Sequence, residues 1–280
     1  MPKMTMTIVG ATSLEWSENP FLYWGVGAYL ATYISYCACV FVFEFLIYLK
    51  IFPCISYAGQ KDRATETNRL RKKFGFWEQF FSASFLLAGP AGLLNCVLLT
   101  YIMVFVNGGA KPDESALSKV CLQLLSLKVL DDFFLYWGHR IQHESEFLWR
   151  FHRIHHQVTT PSPVSAVYID SLDATIQGGL PMIFAAAIIT PSPRILYTFC
   201  ALRVGENVLN HSGFDSTVVD LLSLKALPFR AGIGHHDAHH KFSNYAKNAK
   251  NYGEALWIWD WMFGTLSNTK RLTTTKKKEK

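Results

Sequence analysis

Two long apolar runs dominate the first part of the chain. Every side chain from Phe21 to Phe43 is uncharged, and the apolar character continues past Glu44 to Leu49. Ala83 to Val106 is a second uncharged run, with Pro90 inside it. About 20 apolar residues are enough for a helix to cross ~30 Å of hydrocarbon. The pattern therefore predicts two transmembrane helices, and a proline can kink the second one.

Two later apolar stretches are less regular. Lys119–Gly138 contains Lys128, Asp131 and Asp132, which a helix facing lipid on all sides would not tolerate. We expect a third span whose lower end packs against protein. Gly178–Val204 is interrupted by P-S-P at residues 191–193, and each arm is too short to cross alone. This stretch predicts a helical hairpin that dips into the membrane and returns to the same side.

The amino-acid composition is also typical of a protein that spans a lipid bilayer. Half of the 280 residues are hydrophobic and 17% are charged, against about 25% in ordinary soluble domains. Residues 1–20 lack the pattern of a cleaved signal peptide, so the first run is expected to be an uncleaved anchor. Residues 50–73 are rich in lysine and arginine, which marks the cytoplasmic side of a membrane. The net charge of +6 is not interleaved with aromatic residues, so no nucleic-acid partner is expected.

All ten histidines lie between His139 and His240. Most of them repeat a spacing of three or four residues, which places side chains on one face of a helix. Histidine clusters also occur as solvated surface or as core residues, but three groups with the same spacing favour metal binding. A single structural zinc takes four ligands, so ten histidines suggest two ions. The groups are H-R-I-Q-H (His139, His143), H-R-I-H-H (His152, His155, His156) and H-H-D-A-H-H (His235, His236, His239, His240), with His211 alone in N-H-S-G-F-D.

Other metal chemistries fit less well. A zinc protease is excluded because no H-E-x-x-H is present. The six cysteines show no C-x-x-C spacing and are expected to be small buried hydrophobic residues. A membrane zinc transporter or metal buffer remains a non-enzymatic alternative. Transporter ligands are expected inside the spans near the midplane of the bilayer, whereas these histidines flank the spans on one side.

The ordered histidine motifs resemble those of the fatty acid hydroxylase/sterol desaturase superfamily. D-D-F-F-L-Y-W-G-H-R (131–140) is similar to that superfamily's entry into its first histidine motif, and W-D-W-M-F-G-T (259–265) is similar to its closing signature. N-H-S-G-F-D (210–215) with H-H-D-A-H-H is most similar to C-4 methylsterol oxidases, and cholesterol 25-hydroxylases carry close variants. The chain departs from the methylsterol oxidase pattern at Asn210 and Phe214, and at Asp170, where a histidine is usual.

The resemblance implies an all-α integral membrane protein with three to four transmembrane helices, a membrane-dipping hairpin and a cytoplasmic histidine-rich helical cap. Residues 1–118 would be the N-terminal membrane region with two transmembrane helices, 119–268 the fatty acid hydroxylase-like catalytic domain, and 269–280 a basic cytoplasmic tail. Lys277 and Lys278 are placed like a dilysine signal for the endoplasmic reticulum. We therefore expect a multi-pass protein of that membrane, with its catalytic face and C-terminus in the cytoplasm.

The resemblance also implies the activity and the site. It predicts a di-iron monooxygenase that uses O2 and oxidises the C-4 methyl group of sterol precursors. Electrons would come from NAD(P)H through cytochrome b5 or its reductase, since no G-x-G-x-x-G fingerprint is present. Another lipid hydroxylase or desaturase, acting on cholesterol or a fatty acid, is the alternative. All ten histidines match positions near the irons, with His211 and His235 either ligands or their partners. Carboxylates that could orient ligands are Asp132, Asp170, Asp173 and Asp237.

Overall fold

The computed structural model describes residues 19–57, 63–109, 116–243 and 249–267, and it is almost entirely helical. The described residues contain no β-strand, only two isolated bridges. Lys277 and Lys278 lie outside the described residues. The helices are α1 (Gly27–Tyr48), α2 (Arg63–Phe74), α3 (Phe76–Ala88), α4 (Pro90–Tyr101), α5 (Leu117–Glu144), α6 (Glu146–His152), α7 (Ser171–Asp173), α8 (Leu180–Ile189), α9 (Pro193–Asn210), α10 (Thr217–Leu222), α11 (Ile233–Phe242) and α12 (Ile258–Met262). The expected all-α membrane fold is confirmed.

Three stretches of the described residues are long and apolar enough to cross a membrane. They are Phe21–Tyr48, Phe76–Val106 and Ser171–Ile189. The first includes a π-helical turn at Phe21–Val26 before α1. The second starts seven residues earlier than its uncharged run, because α3 already begins at Phe76. The third begins at Ser171 and includes the first arm of the hairpin predicted at residues 178–204. The expectation that each arm is too short to cross is wrong for this arm.

The second stretch is broken where the sequence places a proline. Gly89 has an extended backbone (φ −93°, ψ −155°), and Pro90 is the first residue of α4. Proline has no N–H to donate, so it fits the first turn of a helix but not an interior position. The stretch is therefore two helices joined at Gly89 rather than one kinked helix.

The helices pack as an up-and-down bundle. Ser35 of α1 donates to the carbonyl of Ala201 on α9 (2.7 Å), and Phe43 and Phe214 meet further along the same two segments, so α1 and α9 run in the same direction. Phe134 of α5 stacks edge-on against Phe184 of α8. Since α8 leads away from the histidines and α9 leads back, the chain reverses at residues 190–192. This reversal places His211 at the same end of the bundle as His139 of α5.

Lys128, Asp131 and Asp132 of α5 contact other parts of the protein, as predicted, although α5 is not among the three candidate spans. Asp131 is buried and accepts two hydrogen bonds from Arg203 of α9, at 2.8 and 2.7 Å. Lys128 forms an ion pair with Glu206, which lies on α9 like Arg203. Asp132 accepts from the backbone N–H groups of Ala255 (2.8 Å) and Leu256 (2.9 Å). These contacts fix α5 against both α9 and the C-terminal segment that covers the histidines.

Candidate metal centre

Nine of the ten histidines form two adjacent groups at one end of the bundle. Within each group the ring nitrogens that face one another lie within 4.8 Å, and every member is buried. His235 belongs to neither group. The five-histidine group consists of His139, His143, His152, His156 and His239, and the four-histidine group consists of His155, His211, His236 and His240.

The two groups do not follow the three sequence motifs. Histidines four residues apart stay together, as His152 and His156 do in the five-histidine group and His236 and His240 do in the other. The histidine three residues after the first of each pair belongs to the other group. His155 is in the four-histidine group, and His239 is in the five-histidine group. Two of the three motifs therefore each supply both groups. The sequence-based expectation that each motif points at a single spot is wrong for these two.

Local structure explains the crossing in the second motif. α6 ends at His152, and residues His155–Gln157 form a 3₁₀ turn instead of continuing the helix. In the third motif all residues lie on α11, which is buried along Ile233–His240 apart from His235. A helix buried between two groups can supply both of them, since positions three and four residues apart lie on slightly different sides of its axis.

Backbone carbonyls fix the tautomer of most rings. A carbonyl oxygen only accepts, so the Nδ1 atom that faces it must carry the proton, and the Nε2 atom then keeps its lone pair. Five rings donate from Nδ1 in this way: His139 to Tyr252 (2.9 Å), His155 to Tyr168 (3.4 Å), His211 to Asn207 (2.8 Å), His239 to Lys250 (2.6 Å) and His240 to Val158 (3.1 Å). This is the arrangement expected around metal-binding histidines.

The facing nitrogens pass a simple test for a metal. His155 Nε2 and His211 Nε2 are 3.3 Å apart, yet both rings already hold their proton at Nδ1. Two nitrogen lone pairs at this distance cannot form a hydrogen bond with each other, whereas both can bind the same metal cation. Metal–nitrogen bonds of 2.0–2.1 Å place neighbouring ligand atoms roughly 3.0–3.4 Å apart. The other Nε2 pairs span 3.0–3.2 Å, so both groups are compatible with a metal ion each.

Burial keeps these imidazoles neutral. It lowers the pKa of His155 to about 3, with the neighbouring His211 adding to the effect, and it lowers the pKa of His211 to about 4. The same cause holds the pKa of His152, His239 and His240 well below the ordinary value of 6.5. Neutral imidazole is the form that binds iron, zinc or copper. The environment therefore prepares the rings to bind metal at neutral pH.

One of the four carboxylates considered from the sequence touches a histidine of the two groups. Asp173, buried at the end of α7, accepts from His152 Nδ1 (2.9 Å) and from Gln142 Nε2 (3.0 Å). Asp170 caps α7 by accepting from the N–H of Leu172 (2.8 Å). Asp237 forms an ion pair with Arg63 (2.6 Å), and Asp132 holds the C-terminal segment as described above. Asp173 is thus the carboxylate placed to orient a metal-binding ring.

Asp260 has a structural role that sequence reasoning did not assign. Its carboxylate accepts from the N–H groups of Tyr252 and Gly253 (both 2.8 Å) and from the hydroxyl of Thr265 (2.7 Å). It also contacts His235 Nε2 at 3.0 Å, which accounts for the histidine that joins neither group. The signal was available in the sequence, because Asp260 and Thr265 both belong to the W-D-W-M-F-G-T motif.

An apolar cavity between the helices leads to the histidines. The space within its walls is about 1140 Å³, a volume that includes the part open to the outside. Its mainly apolar wall comes from α1, α3, α4, α9 and residues 166–179. His155 and Asp173 line one end, where several polar side chains gather. A ligand in this cavity would bring its end next to the four-histidine group.

Fold and site together define a helical membrane protein with two groups of histidines, each compatible with a metal ion, beside an apolar cavity. The family model described as fatty acid hydroxylase matches residues 124–265, just over half of the chain. The chain belongs to the fatty acid hydroxylase family, and the resemblance drawn from its histidine motifs is confirmed. This is a superfamily of membrane-bound oxidoreductases.

Relatives within this superfamily differ in activity. The chain is 33% identical over 159 residues to methylsterol monooxygenase 2-2 of Arabidopsis thaliana, covering 56% of this chain and 57% of that protein. It is 30% identical over 161 residues to the very-long-chain aldehyde decarbonylase GL1-8 of Oryza sativa, covering 58% of each chain. Methylsterol monooxygenase 1-2 of Arabidopsis thaliana is 24% identical, but over 92% of this chain and 86% of its own length. The chain thus spans less than two thirds of the first two relatives. No solved structure matches it.

Proposed function

We propose that this protein is a membrane-bound di-iron monooxygenase that oxidises the C-4 methyl group of sterol precursors. The observation that carries the proposal is the apolar cavity lined in part by His155, because it joins an apolar space between the helices to a set of histidines compatible with two metal ions. Breaking an unactivated C–H bond is beyond acid–base chemistry of side chains, so a metal must supply the oxidant.

The choice of sterol has support from the sequence and from relatives. The N-H-S-G-F-D motif followed by H-H-D-A-H-H is the form most similar to methylsterol oxidases, and both Arabidopsis relatives carry the name methylsterol monooxygenase. The similarity to an aldehyde decarbonylase is of comparable strength over a similar length. Oxidation of a different lipid at the same site is therefore the competing function, and the experiment below separates the two.

Each part of the site has a role in this proposal. His139, His143, His152, His156 and His239 would hold one iron, and His155, His211, His236 and His240 the other. With bound iron, the site would activate O2 against a C–H bond, inserting one oxygen atom while the other leaves as water. Asp173 keeps the proton of His152 on Nδ1 and so leaves Nε2 available. The cavity walls exclude water and hold the substrate with one carbon near His155. Successive rounds would take the methyl group through alcohol and aldehyde to acid.

Electrons and location are part of the same proposal. Two electrons per turnover would come from NAD(P)H through cytochrome b5 or its reductase. Arg69, Lys72 and Lys73 lie exposed on or beside the polar face of α2, and this basic surface could dock an acidic electron donor. A membrane of the endoplasmic reticulum, with the histidines on its cytoplasmic side, would place the site within reach of both the donor and the lipid.

Expression in cells that lack C-4 methylsterol oxidase tests the function. The intact chain should remove the accumulated 4-methylsterols, as measured by mass spectrometry of extracted sterols. His155→Ala should fail at equal expression, because it removes a proposed iron ligand. Persistence of 4-methylsterols with the well-expressed intact chain would refute the sterol assignment. A parallel profile of long-chain aldehydes, alkanes and hydroxy fatty acids would then reveal the competing lipid activity.

A further inference from the structure

The end of the cavity near the histidines holds an unusual concentration of polar side chains. Asp173, Arg203, Asn207 and Glu254 all line it, whereas the remainder of the wall is largely apolar. Two of these groups each make hydrogen bonds to two partners within the protein. Asp173 accepts from His152 and Gln142, and Arg203 donates to Asp131 and to the carbonyl of Gln177.

Glu254 is less engaged. Among the described residues its carboxylate accepts a single hydrogen bond, from Asn207 Nδ2 to Oε2 at 2.9 Å. The second carboxylate oxygen, Oε1, has no partner there. Glu254 is half-buried and lines the cavity, so Oε1 is open to a hydrogen-bond donor that enters this space. The cavity therefore provides an acceptor for a polar group of its ligand.

A short series of contacts places this acceptor beside the metal centre. Glu254 bonds to the side chain of Asn207, and the backbone carbonyl of Asn207 accepts from His211 Nδ1 at 2.8 Å. His211 Nε2 in turn lies 3.3 Å from His155 Nε2. Two residues before Glu254, the carbonyl of Tyr252 accepts from Nδ1 of His139 at 2.9 Å. Glu254 thus lies close to both histidine groups and faces the ligand space.

We propose that Glu254, held by Asn207, binds the hydroxyl group of a lipid alcohol and so positions the neighbouring carbon for oxidation. This inference rests on the proposed function in taking the cavity as the lipid site. An alcohol supplies the donor that Oε1 lacks. An aldehyde or ketone offers only an acceptor, and a fatty acid carboxylate brings a like charge to this point. In a 4-methylsterol the hydroxyl at C-3 is adjacent to C-4, so its anchoring would present the C-4 methyl group to the histidines.

Binding without turnover tests this subsite. The full-length metal-loaded protein in lipid nanodiscs is kept under argon without reductant, and unlabelled ligands compete with a radiolabelled sterol or a radiolabelled long-chain alcohol. The ligands are a 4-methylsterol and its 3-ketone, together with a long-chain alcohol and the matching aldehyde. A hydrogen bond to a charged acceptor predicts that the wild type prefers each alcohol over its carbonyl analogue by about 10- to 100-fold.

Glu254→Gln should change this preference in a direction that a purely structural role would not produce. Glutamine can still accept from Asn207 through its oxygen, but it turns an N–H donor toward the ligand. The variant should therefore lose the preference for the alcohol and bind the carbonyl analogue more tightly than the wild type does. Glu146→Gln, which removes an exposed carboxylate on α6, is the matched control and should retain the wild-type preference.

The outcomes separate this inference from the proposed function. Equal binding of a sterol alcohol and its ketone by the wild type would overturn the subsite and leave the sterol assignment standing. An alcohol preference that depends on Glu254 but is seen only with long-chain ligands would support the subsite and refute the sterol assignment. Loss of the preference in Asn95→Ala but not in Glu254→Gln would overturn it too, because Asn95 lines the cavity at a different place, beside Gly179. Failure of every ligand to bind would likewise overturn it.

Discussion

Asp173→Asn is the sharpest test of how the protein holds its metal ions. Asp173 uses one carboxylate oxygen for His152 Nδ1 (2.9 Å) and the other for Gln142 Nε2 (3.0 Å). Asparagine keeps one acceptor oxygen and replaces the other with an NH2 group, so one of the two donors loses its partner. Because His152 belongs to the five-histidine group, the effect should fall on one ion only.

The structure sets the size of the expected effect. Losing one hydrogen bond to a buried charged group costs about 1.5–3 kcal/mol, which corresponds to roughly 10- to 100-fold in affinity. Partners of metal-binding histidines typically contribute the same range. We therefore expect Asp173→Asn to weaken one iron site by about 10- to 100-fold and to leave the second site at wild-type affinity.

Competition with a chelator, with iron per chain measured by mass spectrometry, would follow the two sites separately. Asp170→Asn is the matched control. Asp170 lies three residues earlier and caps α7 through Leu172, and asparagine caps a helix as well as aspartate does. Two ions of unchanged affinity in Asp173→Asn would refute the reasoning. Equal loss of both ions, with unchanged helix content by circular dichroism, would show that the two groups are not independent.

Two further predictions concern the cavity and pH. Val204→Phe should abolish binding of the lipid while both ions are retained, because Val204 lines the cavity and is buried. Leu202→Phe, at an exposed position on the same helix, is the control and should bind lipid normally. Normal binding by Val204→Phe would contradict the cavity assignment. The free energy of unfolding of the metal-free protein should decrease as the pH is lowered from 6.5 toward 4. Burial lowers the pKa of His155 to about 3 and that of His211 to about 4 in the folded protein. Between those values and the ordinary value of 6.5, only the unfolded chain takes up protons at these two histidines. A thermal unfolding midpoint that did not change between pH 7 and pH 5 would contradict this.

The membrane helices were predictable because their signal is length and apolarity. The uncharged run from Phe21 to Phe43 needs no tertiary information to be recognised as a span. The beginning of α3 was not predictable in this way. Phe76 is followed by Glu78 and Gln79, which lower the hydropathy of the first turn although Gln79 is buried and bonds back to the carbonyl of Gly75 at 3.0 Å. Tertiary packing outweighs local polarity there.

The membership of the two histidine groups could be predicted only in part. Spacing correctly joins residues four apart, because such side chains lie nearly above one another on a helix. It does not reveal that His155 and His156, adjacent in sequence, serve different groups. That outcome depends on the end of α6 at His152 and on the return of α9, which brings His211 next to His155. The division of the histidines into two groups is therefore a property of the tertiary structure.

The partners that fix the rings are mostly backbone carbonyls, which leave no signal in the sequence, yet the closing W-D-W-M-F-G-T motif points to them indirectly. Asp260 of that motif binds the N–H groups of Tyr252 and Gly253 and so sets the path of the segment before it. The carbonyl of Tyr252 then accepts from His139, and that of Lys250 from His239. Both rings belong to the five-histidine group. A motif that contains no histidine thus determines which nitrogen two of these rings present, because it sets the path of the loop whose carbonyls accept hydrogen bonds from their Nδ1 atoms.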